Sequence, residues 1–66
     1  MKIVCNGSCM ELADGATVQD LTLKLSLEVR GLAIAVNDAV VSRARWESHI
    51  LQANDRVTLI RMAQGG

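Results

Sequence analysis

Along the first dozen positions apolar and polar residues alternate. Met1, Ile3, Cys5, Met10 and Leu12 fall on one face, and Lys2, Val4, Cys9 and Glu11 on the other, with Asn6-Gly7 between the two runs. A period of two is the strand signature. Asn-Gly accepts positive φ at both central positions of a tight turn, which makes it a strong hairpin signal. A two-residue turn sets Val4 opposite Cys9, Ile3 opposite Met10 and Lys2 opposite Glu11, the last a favourable cross-strand charge pair. A four-residue loop shifts the pairing by two and leaves the faces unchanged. The predicted hairpin covers residues 1–13, closed by Asp14-Gly15.

The period then changes. Thr17 with Asp20 three residues on has the form of a helix N-cap followed by an acid in the first turn. Val18, Leu21, Leu25 and Val29 share one helical face, and Gly31 suits the residue just past the helix end. The same segment, Leu21 to Val29, also alternates strictly, as a strand would. The cap and the leucine and lysine propensities favour a helix of three turns, with the strand as the open alternative. A helix leaves Leu23 and Leu27 opposite the core stripe.

Leu32 to Asn37 reads as a strand with Ile34 and Val36 on one face, and Asn37-Asp38 turns it into Val40-Val41. Arg43 to His49 is polar apart from Trp46, which suggests a short helical turn with one anchor. Asn54 suits a left-handed position in the turn Gln52 to Asp55. The last run, Arg56 to Met62, puts Val57 and Leu59 inward and Thr58, Ile60 and Met62 outward. The order ββ, α, ββ, β predicts an α+β fold: a mixed sheet of four to five strands with one main helix across one face, the first and last strands central and parallel. The other sheet face is then partly open, with Ala33, Ala35, Ile60 and Met62 forming an apolar patch suited to a partner.

Composition narrows the functions. The 66 residues make one small domain, half of them hydrophobic, with no Phe or Tyr and a single Trp, so aliphatic side chains must fill the core. Seven basic residues balance seven acidic ones, which argues against nucleic acid and against a polybasic membrane surface. No apolar run approaches the ~20 residues of a membrane span. The start of the chain has no signal-peptide pattern, so the cytoplasm is the expected address.

The hairpin register sends Cys5 and Cys9 to opposite faces. Pairing them needs a one-residue slip that would place Glu11 on the core face. Cys5 therefore reads as a small core residue and Cys9 as a free surface thiol. His49 is the sole histidine, Ser8, Ser26, Ser42 and Ser48 stand in no nucleophile elbow, and the glycines before the tail are isolated turn residues. No catalytic constellation or metal-ligand spacing emerges, so the chain is not expected to be an enzyme or to bind a metal or cofactor.

What remains is the sequence Ala63-Gln64-Gly65-Gly66 directly after the last strand. Glycine has no Cβ and passes where other residues cannot. Residues 63–66 read as a flexible tail on a domain of residues 1–62, with Gly66 presenting its carboxylate and Gly65 and Gln64 threading it into another protein's active site. A frayed end is the bland alternative.

The chain as a whole resembles the ThiS family of small sulfur carriers in thiamine-thiazole biosynthesis, within the ubiquitin-like β-grasp fold. The resemblance rests on Asn6, Gly15 to Val18, Ala35-Val36-Asn37, Val40 to Arg43 with Trp46, Asp55, and Gly65-Gly66. Ser42, Asn54 and the leucine alternation after Leu21 depart from the family pattern. The resemblance implies that a ThiF-like adenylyltransferase docks on the open sheet face and that the Gly66 carboxylate attacks the α-phosphate of ATP. A sulfur-donor protein then displaces AMP to leave a thiocarboxylate, which thiazole synthase consumes. ATP and magnesium would belong to the activating partner. The alternatives are a molybdopterin-synthase small subunit with the same chemistry, a β-grasp interaction domain, and a protein modifier that joins lysines.

Overall fold

A computed structural model describes residues 1–62. Strands β1 (Lys2–Cys5) and β2 (Ser8–Glu11) form the hairpin, with Lys2 opposite Glu11, Ile3 opposite Met10 and Val4 opposite Cys9. Asn6 and Gly7 take φ of 49° and 82°, the positive values that a two-residue turn between right-twisted strands requires. Helix α1 (Val18–Lys24) follows, then β3 (Leu32–Val36), β4 (Ala39–Val41), a 3₁₀ turn (Arg43–Arg45) and β5 (Arg56–Arg61). The five strands lie in the order β2-β1-β5-β3-β4. β1 and β5 run parallel and the other neighbours antiparallel, so the first and last strands sit side by side inside the sheet.

A helix of seven residues is marginal alone, and this one is held by its surroundings. Thr17 and Asp20 form a reciprocal capping box: Asp20 N donates to Thr17 Oγ1 at 3.1 Å and Thr17 N to Asp20 Oδ2 at 2.9 Å. The other early N–H groups are taken by the segment after the 3₁₀ turn. Val18 N donates to the His49 carbonyl and Gln19 N to that of Trp46, both at 3.0 Å, and Leu51 N donates to Ala16 O at 2.8 Å. The orphan donors of the helix start are thereby satisfied without water. One face of the sheet and the helix enclose Ile3, Leu12, Val18, Leu21, Ile34, Val36, Val41, Trp46, Leu51 and Val57. Trp46 is 2 % exposed, and its indole N–H donates to Val41 O at 2.9 Å. Among the described residues no buried side-chain polar atom lacks a partner.

The helix is shorter than the three turns its apolar stripe predicts. It closes at Leu25, where Ser26 takes φ of 52°. Ser26 N donates to Leu23 O and Leu27 N to Thr22 O, the paired bonds of a Schellman stop. Gly31, expected as the terminator, instead turns the chain into β3 with φ of 70°. Leu25 consequently lies 39 % exposed rather than in the core, and Thr22 takes an inward place with its hydroxyl donating to Gln19 O at 2.7 Å. The strand alternative for Leu21 to Val29 is excluded. Because Ser26 holds a conformation that suits glycine, Ser26→Gly should stabilise the fold by roughly 0.5–1 kcal/mol. For a domain this size that is a rise of a few degrees in thermal midpoint, about 4–8 °C per kcal/mol, read by circular dichroism.

Candidate functional site: the open sheet face and the end of β5

The face of the sheet turned away from α1 carries alternate residues of the strands, and its apolar part is built from β3, β4 and β5. Ala33 of β3 stands directly opposite Ile60 of β5, and Ala35 stands between Thr58 of β5 and Val40 of β4. Ile60, Met62 and Val40 are exposed, at 43, 56 and 72 %. Ala33 is half-buried. Ala35 is 6 % exposed: between its two larger neighbours the methyl forms the floor of the patch rather than a contact point. Val40 was absent from the expected patch. Its position beside inward-facing Val41 carries the alternation that would have revealed it. The patch therefore has a flat alanine floor walled by Val40, Thr58 and Ile60, with Met62 at the end from which residues 63–66 continue.

Of three polar residues that carry the family resemblance, Asn6 and Asn37 bond β5 directly, and Asp55 holds Asn37. Asn6 N donates to Val57 O at 2.9 Å, and Leu59 N donates to the Asn6 side-chain oxygen at 2.8 Å. The amide side chain thus replaces a backbone carbonyl and extends the parallel β1–β5 ladder past the point where β1 turns away. Asn37 brackets Arg56: its N–H donates to Arg56 O at 2.7 Å, and its Oδ1 accepts from Arg56 N at 3.0 Å. Asn37 Nδ2 also donates to Asp55 Oδ1 at 3.0 Å, while Asp55 Oδ2 accepts from Gln52 N at 2.8 Å. An exposed ion pair, Arg56–Asp38 at 3.4 Å, lies beside this network and adds little in water. These side chains set the alignment of β5, and with it the place where the strand ends.

Both cysteines are free, Cys5 buried and Cys9 exposed, on opposite faces as the register requires. Burial pushes the Cys5 thiol up, which disfavours its thiolate. His49 is half-buried in the loop after Trp46, where its carbonyl serves the helix start. Among the described residues no three His, Cys, Asp or Glu gather to hold a metal ion, and no helix is long and apolar enough to cross a membrane. Gln64, Gly65 and Gly66 lie outside the described residues.

A small mixed sheet crossed on one face by one helix, with parallel central strands from the two ends of the chain, is the ubiquitin-like β-grasp. The crystal structure of the thiamine biosynthesis protein ThiS from Geobacter metallireducens has this architecture, with a TM-score of 0.88 over the full length of both chains at 20 % identity. A solution structure of a thiamine biosynthesis protein from the same organism gives 0.78 at 22 % identity, covering all of this chain and 88 % of that one. The sequence profile of the ThiS family matches residues 3–66. The sulfur carrier protein ThiS of Escherichia coli (strain K12) is 36 % identical over 66 residues, the whole of both chains. A thiazole synthase of Magnetococcus marinus is 32 % identical over the same 66 residues, which make up 20 % of its length. The chain belongs to the ThiS family.

Proposed function

We propose that this protein is a sulfur carrier for thiazole formation in thiamine biosynthesis, with residues 1–62 as the presenting domain and residues 63–66 as the delivered segment. The observation that carries the reading is the full-length similarity to the Escherichia coli sulfur carrier protein, which extends through Gly65-Gly66. Gly66 is the working residue. A carboxylate is a poor acyl donor until one oxygen becomes a phosphate-linked leaving group. A ThiF-like adenylyltransferase supplies that by letting the carboxylate attack the α-phosphate of ATP, with release of pyrophosphate. A persulfide on a sulfur-donor protein then displaces AMP, and a thiol reduces the resulting acyl disulfide to the thiocarboxylate.

Gly65, without a side chain, and Gln64 thread the carboxylate into the partner, and the patch of Ala33, Ile60, Met62 and Val40 over Ala35 docks it. The chain supplies no catalytic group of its own, and ATP and magnesium belong to the activating enzyme. A thiazole synthase is the proposed acceptor. Support comes from the thiazole synthase of Magnetococcus marinus, which includes a segment similar to this whole chain. The setting is the cytoplasm.

Incubation with the adenylyltransferase, ATP and sulfide should raise the intact mass by the difference between sulfur and oxygen. Addition of thiazole synthase and its other substrates should return it. An unchanged mass with a demonstrably active adenylyltransferase would refute the carrier reading. Loading without discharge to thiazole synthase, but with discharge to molybdopterin synthase, would move the acceptor.

A further inference from the structure

The start and middle of β5 are aligned by Asn37 and Asn6, but its end is held by another device. Arg61, the last strand residue, donates from Nη1 to the carbonyl oxygen of Glu28 and to that of Arg30, the latter at 3.0 Å. The next residue, Met62, donates its backbone N–H to Gly31 O at 2.7 Å. Three carbonyls of the 28–31 loop therefore grip two consecutive residues immediately before Ala63. The loop is itself fastened. Val29 packs against the core and its carbonyl accepts from Leu32 N at 3.1 Å, while Arg30 N donates to the Glu28 carboxylate at 3.2 Å. Strand ends next to a terminus ordinarily fray. Here a guanidinium, which makes charge-assisted bonds stronger than neutral ones, is spent on main-chain carbonyls at that end.

We propose that Arg61 is a positioning residue for sulfur loading: it locks the end of β5 to the 28–31 loop and so fixes the point and direction from which residues 63–66 reach the activating enzyme. The inference rests on Gly66 as the reacting residue. Its energetic content is orientation. When the domain docks, a fixed point of departure keeps the Gly66 carboxylate within the small volume where attack on the phosphate is productive. Release of that point leaves Val40, Thr58 and Ile60 in place for docking, because Arg61 alternates with Ile60 along β5 and belongs to the opposite sheet face, and of the patch only Met62 shares the released end. It lowers the fraction of docked complexes that are productive. The loss therefore falls on kcat, with KM for the carrier retained.

Two variants isolate the donor from the aliphatic stem. Arg61→Met keeps the stem and removes the donors, and Arg61→Lys restores one donor group. With the adenylyltransferase and ATP, pyrophosphate release measured against carrier concentration should show a kcat about ten- to a hundredfold lower for Arg61→Met, the scale of one lost charged hydrogen bond. KM should stay within about twofold, and Arg61→Lys should recover most of the rate. Amide exchange at Met62 should quicken in Arg61→Met alone. A lower melting temperature with unchanged kcat and KM per folded molecule would make Arg61 a stability residue only and overturn the proposal. A raised KM with normal kcat would make it a partner contact and overturn it equally. A Gly66 deletion run in parallel separates the layers: if it releases pyrophosphate normally, the site reading and the anchor fall together. If it is inactive while Arg61→Met is normal, only the anchor falls.

Discussion

Trp46→Ala should leave a large fraction of the chain unfolded under conditions where the wild type is fully native. Trp46 is nearly buried and joins three elements. Its ring packs in the core, its indole N–H serves the β4 carbonyl of Val41, and its own carbonyl receives Gln19 N at the helix start. Arg43 lies over the ring at 5.6 Å from its centroid. Truncation of a buried aromatic costs about 3–5 kcal/mol, and the orphaned Val41 carbonyl adds to that cost. A single core in a domain of this size rarely supplies more than about 3–5 kcal/mol in total. The two magnitudes meet, so the equilibrium shifts to comparable folded and unfolded populations. Urea titration followed by far-ultraviolet circular dichroism should show a folded baseline that is short or absent. Trp46→Phe separates the terms: most of the ring volume stays, the indole donor is lost, and the expected cost is about 1–3 kcal/mol. If Trp46→Ala melts within a few degrees of wild type, the core is not organised around this residue.

The parts of this fold that were legible in the sequence are those in which local pattern and tertiary context agree. The register of the first hairpin follows from Asn6-Gly7 and from the need to keep Glu11 off the core face, and the observed pairs are the expected ones. The Thr17 cap, the Trp46 anchor and the left-handed Asn54 were equally visible, because each depends on residues close in sequence. The stop of α1 was not. Ser26 is a poor residue for positive φ, and the apolar stripe continues past it to Val29. Tertiary packing decides there, since the loop after the helix must turn back toward β3 and offer its carbonyls to Arg61 and Met62. Asn6 signals positive φ in the first turn and is one of the residues that carry the family resemblance. Its second role, as acceptor for Leu59 N, spans 53 residues and leaves no trace in any local window. The apolar patch on the open sheet face is legible as a face but not as a relief. Alternation places Ala35 outward, and only the cross-strand neighbours Val40 and Thr58 reveal that its methyl is covered.

Removal of Gly66 should abolish adenylation while leaving the domain intact. Among the described residues the buried core cluster runs from Ile3 to Val57, nine residues before Gly66 in sequence, and the expectation is that the core survives the deletion. The melting curve should overlay the wild type, in line with the roughly 0.5 kcal/mol that bounds changes away from packed or strained positions. The carboxylate proposed to react, in contrast, moves by one residue, up to about 3.3–3.6 Å along the chain. A displacement of about 1 Å at a reacting centre already costs on the order of a hundredfold, so pyrophosphate release should fall below about a hundredth of wild type. Addition of one residue after Gly66 should do the same, because it moves the carboxylate by a similar distance in the other direction. Gly65→Val tests the channel rather than the reach: the carboxylate keeps its position in sequence, but a β-branched side chain now enters beside it. Adenylation should drop in Gly65→Val more than in Gly65→Ala, with both domains folded. A deletion variant that still releases pyrophosphate at the wild-type rate would mean that the carboxylate of residue 66 is not the group being activated. Equal activity in the Gly65 pair would mean that the partner's channel is wide enough for side chains, and that the glycine serves another purpose.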